Sequence, residues 1–180
     1  ANEKQAILVM IQEIEGKKIA TFMETFHQVN DNFEKLFSQI FKGSGSLYLE
    51  DDKNPFNGGL AIKLQLDRKE VKYLELMSGG EKSLIALVFL FAIQSYNPSS
   101  IYILDEADAA LDQENSKKLA DLVKVLSQNS QFLVVTHNKD FYSSADSMVG
   151  VSMTQQGSQV VEVNLLEDEK KQGRAVAATA

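Results

Sequence analysis

From Leu84 to Ile93 the chain reads Leu-Ile-Ala-Leu-Val-Phe-Leu-Phe-Ala-Ile, without one polar side chain. As a helix this run leaves no face for water, so it predicts a helix buried on all sides at the centre of a fold. It is too short to cross a bilayer, which takes about 20 apolar residues. Immediately before it stands Ser78-Gly79-Gly80-Glu81-Lys82. Ser78 and Glu81 have the spacing of a capping box, in which the serine oxygen accepts from the third helical amide and the glutamate returns to the amide of the cap. Asn97-Pro98 ends the helix, because the residue before a proline is driven out of the helical region. The two glycines leave backbone amides uncovered at the positive end of the helix, a geometry suited to an anion such as phosphate. A capped core helix that binds nothing fits the same residues.

A strand signal follows directly. Ile101-Tyr102-Ile103-Leu104 is a short apolar run between Pro98-Ser99-Ser100 and Asp105-Glu106, the pattern of a strand buried on both faces of a parallel sheet. Ligand groups sit at the carboxyl ends of such strands. Neighbouring carboxylates there are costly to bury without a cation, and Mg²⁺ is the usual hard ion of phosphate sites. Alternation along a strand turns the two acids to opposite faces, so one meets a metal while the other faces a reacting water. The competing reading is an acid pair that opens a helix. Phe132-Leu133-Val134-Val135 predicts a second buried strand, ending in Thr136-His137-Asn138. His137 is then placed either to hydrogen-bond a terminal phosphate or attacking water, or to serve the structure alone.

Taken in order, Leu76-Met77-Ser78-Gly79-Gly80-Glu81-Lys82, Ile103-Leu104-Asp105-Glu106, Ala110-Leu111-Asp112 and Thr136-His137 resemble the signature motif, Walker B, D-loop and switch histidine of an ABC-type ATPase. Glu81-Lys82 and the stretch Asp105-Glu106-Ala107-Asp108-Ala109-Ala110-Leu111-Asp112 are more similar to SMC (structural maintenance of chromosomes) proteins than to membrane transporters, which usually carry a proline after the Walker B glutamate. Met77 stands where that family often has leucine, a volume-conserving exchange. The resemblance covers residues 20–165 and only the C-terminal half of an SMC head, since no Gly-x-x-x-x-Gly-Lys-Ser/Thr phosphate loop occurs in the chain.

That resemblance implies an α/β fold: the C-terminal lobe of a P-loop NTPase-like head, with parallel core strands, an added antiparallel hairpin and a long N-terminal helix leading from a coiled coil. It implies ATP hydrolysis, performed only with the N-terminal Walker A lobe of the same protein and a second head. By resemblance, Glu106 is the general base and His137 senses the γ-phosphate, while Asp105 holds Mg²⁺. Ser78, Gly79 and Gly80 bind the γ-phosphate of ATP on the opposing head, and Asp112 lies in the D-loop at the interface between heads. The implied setting is cytoplasmic and chromosome-associated, with a kleisin subunit and DNA as further partners and no membrane. The implied role is chromosome condensation, segregation or DNA organisation. A coiled-coil DNA-repair ABC ATPase and a mainly structural kleisin-docking clamp share these motifs.

The rest of the chain sets boundaries. With 180 residues and 44% hydrophobic content it can bury one substantial core. It has no cysteine, which excludes disulfides and thiolate metal sites and fits a reducing cytosol. A formal charge of -7 argues against a large phosphate-backbone surface on this piece by itself, and leaves Lys17-Lys18 and Lys117-Lys118 as solvated faces. Residues 3–41 predict one long helix, with Ile7, Ile11, Ile14, Phe22, Phe26, Val29, Phe33, Leu36 and Ile40 stepping by three and four and Lys18 interrupting the stripe. At 1.5 Å per residue it reaches about 55 Å, more than a small domain needs. Residues 1–20 are therefore expected to project as a coiled-coil stub, with an ordinary long core helix as the alternative.

The lobe itself is expected over 21–166, and 167–180 as a flexible tail with an artificial-looking end. With no initiator methionine, the chain is expected to be a fragment of a longer protein. Gly43-Ser44-Gly45-Ser46 reads as a loop before the strand-like Leu47-Tyr48-Leu49. Leu60–Leu66 alternates as a half-exposed antiparallel strand, with Asn54–Gly59 as its connection and Asp67-Arg68-Lys69 as its turn. Leu119, Leu122, Val123 and Leu126 mark a helix after Asp112, and 147–153 with 159–165 predict a hairpin about Gln155-Gln156-Gly157-Ser158.

Overall fold

The computed structural model describes residues 2–66, 72–154 and 157–164. Its first element, α1 (Asn2–Ile40), is a helix of 39 residues. Ile7, Ile11 and Ile14 are exposed in its first half, whereas Val29, Phe33, Leu36 and Phe37 in the second half enter the core. Rings one turn apart meet there, with centroids 5.7 Å apart for Phe33–Phe37 and 4.7 Å for Phe37–Phe41. Lys18, which breaks the apolar stripe, holds its ammonium 4.0 Å over the Phe56 ring, so a cation–π contact takes the place of an aliphatic one.

Three antiparallel strands, β1 (Gly43–Leu49), β2 (Leu60–Leu66) and β3 (Lys72–Tyr73), form a sheet in which Gly43 pairs with Leu66 and Leu49 with Leu60. The loop expected over Gly43–Ser46 is therefore a strand. Antiparallel pairing with residues 63–66 of β2 makes it one, and glycine suits position 45 because a Cβ there would lie 2.8 Å from Cγ of Phe37. A glycine in a strand often marks such a close approach, and only its neighbour in space reveals it. Beyond a 3₁₀ turn over Leu74–Leu76 comes α2 (Gly79–Gln94), which carries the apolar run.

Leu84, Ile85, Val88, Phe91 and Ala92 of α2 are buried, but Leu90 and Ile93 remain 54% and 42% exposed. The helix is thus not buried on all sides. It packs against α1 and against α3 (Gln113–Leu126), and these leave its Leu90–Ile93 side uncovered. Strands β4 (Ile101–Asp105) and β5 (Gln131–Val135) pair in parallel, Ile101 beside Gln131 and Asp105 beside Val135. Leu104, Phe132 and Val134 pack on the core, and Tyr102 stacks on Phe132 at 4.9 Å. On the other side Ile101, Ile103, Leu133 and Val135 are exposed. Burial on both faces, expected from the unbroken apolar runs, therefore holds for one face only.

Leu119, Leu122 and Val123 of α3 are buried as their spacing predicts, with Leu126 partly buried beside them. A short helix not expected from the sequence, α4 (Lys139–Ser144), follows β5 and buries Phe141. Strands β6 (Ser147–Thr154) and β7 (Gly157–Asn164) form the antiparallel hairpin, with Thr154 opposite Gly157. The turns expected at Asp67–Lys69 and at Gln155-Gln156, the end of the hairpin at Leu165 and the tail over 167–180 lie outside the described residues. Among the described residues, no helix is long and apolar enough to cross a membrane.

Candidate functional site

The parallel pair β4–β5 delivers two functional groups to one place. Glu106 leaves β4 with φ 47, a left-handed conformation uncommon for a residue with a side chain. Its amide donates to the Val135 carbonyl at 2.8 Å, and its carbonyl accepts from the Ala109 amide at 3.0 Å. On the neighbouring strand the chain continues through Thr136 to His137, whose Nε2 lies 3.4 Å from Oε1 of Glu106. Both side chains are open to solvent, Glu106 at 55% and His137 at 92%. With Asp108, Gln113 and Lys139 they line an open cavity of about 440 Å³. A carboxylate and an imidazole this close, both facing an open cleft, can offer a proton acceptor and a hydrogen-bonding ring to the same small molecule entering from the cleft side.

Asp105, the last residue of β4, is exposed on the same side as Ile101 and Ile103 and does not line that cavity. The two acids diverge as strand alternation predicts, although the direction of Glu106 comes from its left-handed turn. They do not open a helix, because α3 begins only at Gln113 and is capped by Asp112. Among the described residues, no three His, Cys, Asp or Glu side chains converge as a metal cage. A lone carboxylate fits Mg²⁺ only where phosphate and water supply the other positions, which is the ion's usual habit.

The second group lies at the start of α2. The Ser78 Oγ accepts from the Glu81 amide at 3.3 Å, and Glu81 Oε2 accepts from the Ser78 amide at 2.9 Å, so the capping box is complete. Ser78 and Gly79 are exposed, and a Cβ on Gly79 would meet nothing within 4 Å. Gly80 differs: its Cβ would lie 3.3 Å from Nδ2 of Asn115 and 3.4 Å from Oδ2 of Asp112. Asp112 accepts from the Asn115 amide at 2.9 Å and from the Asn115 side chain at 3.1 Å. The structure thus joins Gly80 to Asp112, and Glu106 to His137. Ser78, Gly79 and Gly80 do not line the cavity between the strand ends.

Several residues of this region carry no signal that sequence reasoning used. Asn115, only 4% exposed, follows Asp112 at a capping interval, and Asn138 caps α4 by accepting from the Asp140 amide at 2.9 Å; both are local patterns legible in principle. The Thr136 hydroxyl donates to Oδ2 of Asp108 at 2.8 Å across 28 residues of sequence, and nothing local announces that pairing.

Residues 3–160 match the family model described as the RecF/RecN/SMC N terminal domain. The chain is 47% identical over 163 residues to the chromosome partition protein Smc of Methanocaldococcus jannaschii, an alignment that covers 91% of this chain and 14% of that protein. It therefore spans about one seventh of the length of that relative. Among solved structures, it superposes with a TM-score of 0.83 and 43% identity on the Smc head domain of Pyrococcus furiosus, with an extended coiled coil and bound to the C-terminal domain of ScpA; the match covers 96% of this chain and 44% of that one. A chain from work on ATP-driven dimerization and DNA-stimulated activation of SMC ATPases matches with a TM-score of 0.74 and 42% identity, covering 87% of this chain and 96% of that one.

Proposed function

Because this chain belongs to the RecF/RecN/SMC family and has the α/β fold of SMC heads, we propose that it is the C-terminal half of an SMC ATPase head. In this reading it joins an N-terminal Walker A lobe and a second head to bind and hydrolyse ATP. The family model bears the description N terminal domain. Assignment to the other half rests on motif order and on the absence of a Gly-x-x-x-x-Gly-Lys-Ser/Thr loop from the chain. The observation that carries the catalytic reading is the Glu106–His137 pair, 3.4 Å apart at the ends of two parallel strands.

In this reading Glu106 takes the proton of the attacking water as its oxygen forms a bond to the γ-phosphorus and the bond to ADP breaks. His137 donates a hydrogen bond to the terminal phosphate and keeps the water within reach of Glu106. Asp105 would hold Mg²⁺, which neutralises charge on the phosphate oxygens when bound. Ser78, Gly79 and Gly80 offer amides and a hydroxyl at the positive end of α2 to the γ-phosphate of the opposing head's ATP. Asp112 supports that surface from the D-loop through its closeness to Gly80. In the same reading residues 1–20, among which Ile7, Ile11 and Ile14 are exposed, are the stub of a coiled coil, and 21–166 are the lobe.

The relatives are chromosome partition proteins, which favours chromosome organisation over DNA repair for this chain. Two solved Smc heads are bound to parts of ScpA, which supports a kleisin partner beside DNA in a cytoplasmic, chromosome-associated complex. The test is Glu106→Gln in the completed head. It keeps the side chain's size but removes its basicity, so turnover should fall by about 10²- to 10⁴-fold, while ATP binding survives and ATP-dependent dimers accumulate. Wild-type turnover by this variant removes Glu106 from the role of base.

A further inference from the structure

The side chains of Glu106 and His137 meet although they stand just past the ends of separate strands, and their own exposure means that packing does little to hold them. Backbone pairing of β4 with β5 ends at Asp105 beside Val135, and one further bond, from the Glu106 amide to the Val135 carbonyl, carries it past the strand ends. Beyond that point the side-chain tie between the two loops is Thr136 Oγ1 donating to Asp108 Oδ2 at 2.8 Å. Both partners are half-buried. The same hydroxyl accepts from the Asn138 amide at 3.0 Å, and the Thr136 carbonyl accepts from the Tyr142 hydroxyl at 3.2 Å. Thr136 is thus fixed on the residues that bracket His137. Asp108 is fixed within the turn that starts at the left-handed Glu106, where the Ala109 amide reaches back to the Glu106 carbonyl. Such a left-handed residue persists only where its surroundings over-determine it.

We propose that Asp108 and Thr136 are a positioning pair that sets the distance between Glu106 and His137, and so the placement of the attacking water. This rests on the reading of Glu106 as general base. Asp108 lines the same cavity, but its Oδ2 is engaged by the Thr136 hydroxyl, and in this reading neither residue takes part in the bonds that form and break. Their contribution is geometric, and displacement of reacting groups by about 1 Å costs on the order of 10²-fold in rate.

The experiment uses the full-length ATPase. Thr136→Val removes the hydroxyl at similar volume, Thr136→Ser keeps it, Asp108→Ala removes the acceptor, and Asp108→Asn retains an amide oxygen that still accepts. Thr136→Val and Asp108→Ala are expected to lower kcat by about 10- to 100-fold with KM for ATP and ATP-dependent head pairing unchanged, while Thr136→Ser and Asp108→Asn stay near wild type. Added to His137→Ala, Thr136→Val should cost nothing further, because residues acting through one another are not additive. Wild-type turnover by both Thr136→Val and Asp108→Ala overturns the proposal. So does a loss that multiplies with that of His137→Ala, or one that appears equally in ATP binding, as a merely structural role predicts. Should Thr136→Val fail to fold, Asp108→Ala carries the same comparison. Glu106→Gln run alongside separates the two ideas. If it turns over normally the base reading fails, whereas if it is dead and the Thr136 and Asp108 variants are normal only the positioning pair fails.

Discussion

At the scale of single residues, Ser78 has one observed role, as a helix cap, and one proposed role, at phosphate, which substitution can part. Its oxygen accepts from the Glu81 amide at 3.3 Å, so Ser78→Ala should lower stability by about 0.5–2 kcal/mol in denaturant unfolding, whether or not phosphate ever binds there. Ser78→Arg loses the same cap and also puts a bulky chain where the proposed function seats the opposing nucleotide. In the completed head it should bind its own ATP yet fail to pair and to hydrolyse. Mixed with heads lacking the Walker A lysine, it should regain partial activity, since one composite site then joins two intact faces. Normal ATP-dependent pairing of Ser78→Arg heads would leave the serine as a cap alone. The adjacent glycines give a second contrast. Open space surrounds a Cβ at Gly79, whereas one at Gly80 meets Asn115 and Asp112 at 3.3 and 3.4 Å. Gly80→Ala should therefore unfold at a lower midpoint than Gly79→Ala. Gly79→Ala should stay folded and reveal its cost only in ATP-dependent pairing, a pattern that equal midpoints or unimpaired pairing would contradict.

Among the elements, α2 shows where local and global signals part company. Its start was legible because a capping box needs only residues within one turn of each other. Its burial was not, because composition gives the same apolar character to a side covered within the chain and to one left for a partner. Leu90 and Ile93 are left uncovered by α1 and α3. Replacing both by lysine should improve the solubility of the isolated chain and weaken its association with the N-terminal lobe in a pull-down. Undiminished association would mean that the lobe docks elsewhere. The β4 and β5 strands repeat the lesson: a run such as Ile101–Leu104 is apolar at every position, yet only Leu104 and its face-mates pack on the core while Ile101 and Ile103 face outward.

For the molecule as a whole, the absence of a lysine-bearing phosphate loop predicts that this chain alone neither binds ATP tightly nor hydrolyses it, and that turnover appears on adding the N-terminal lobe and allowing heads to pair. Stoichiometric micromolar ATP binding by the isolated chain, measured by calorimetry, would refute this. What the sequence determined by itself was whatever depends on neighbours along the chain: the cap of α2, the 39-residue helix with its phenylalanine-rich half, the strand ends bearing Asp105, Glu106 and His137, and the β6–β7 hairpin. Tertiary structure alone decided whatever depends on neighbours in space. It turned Gly43–Ser46 into a strand by pairing it with residues 63–66, where Gly45 lies against the Phe37 ring. It bared one face of β4–β5, and it brought Thr136 to Asp108 across 28 residues. Hydrogen bonds within a turn are written in the spacing of the residues that make them, whereas contacts closed by folding depend on where distant segments come to rest.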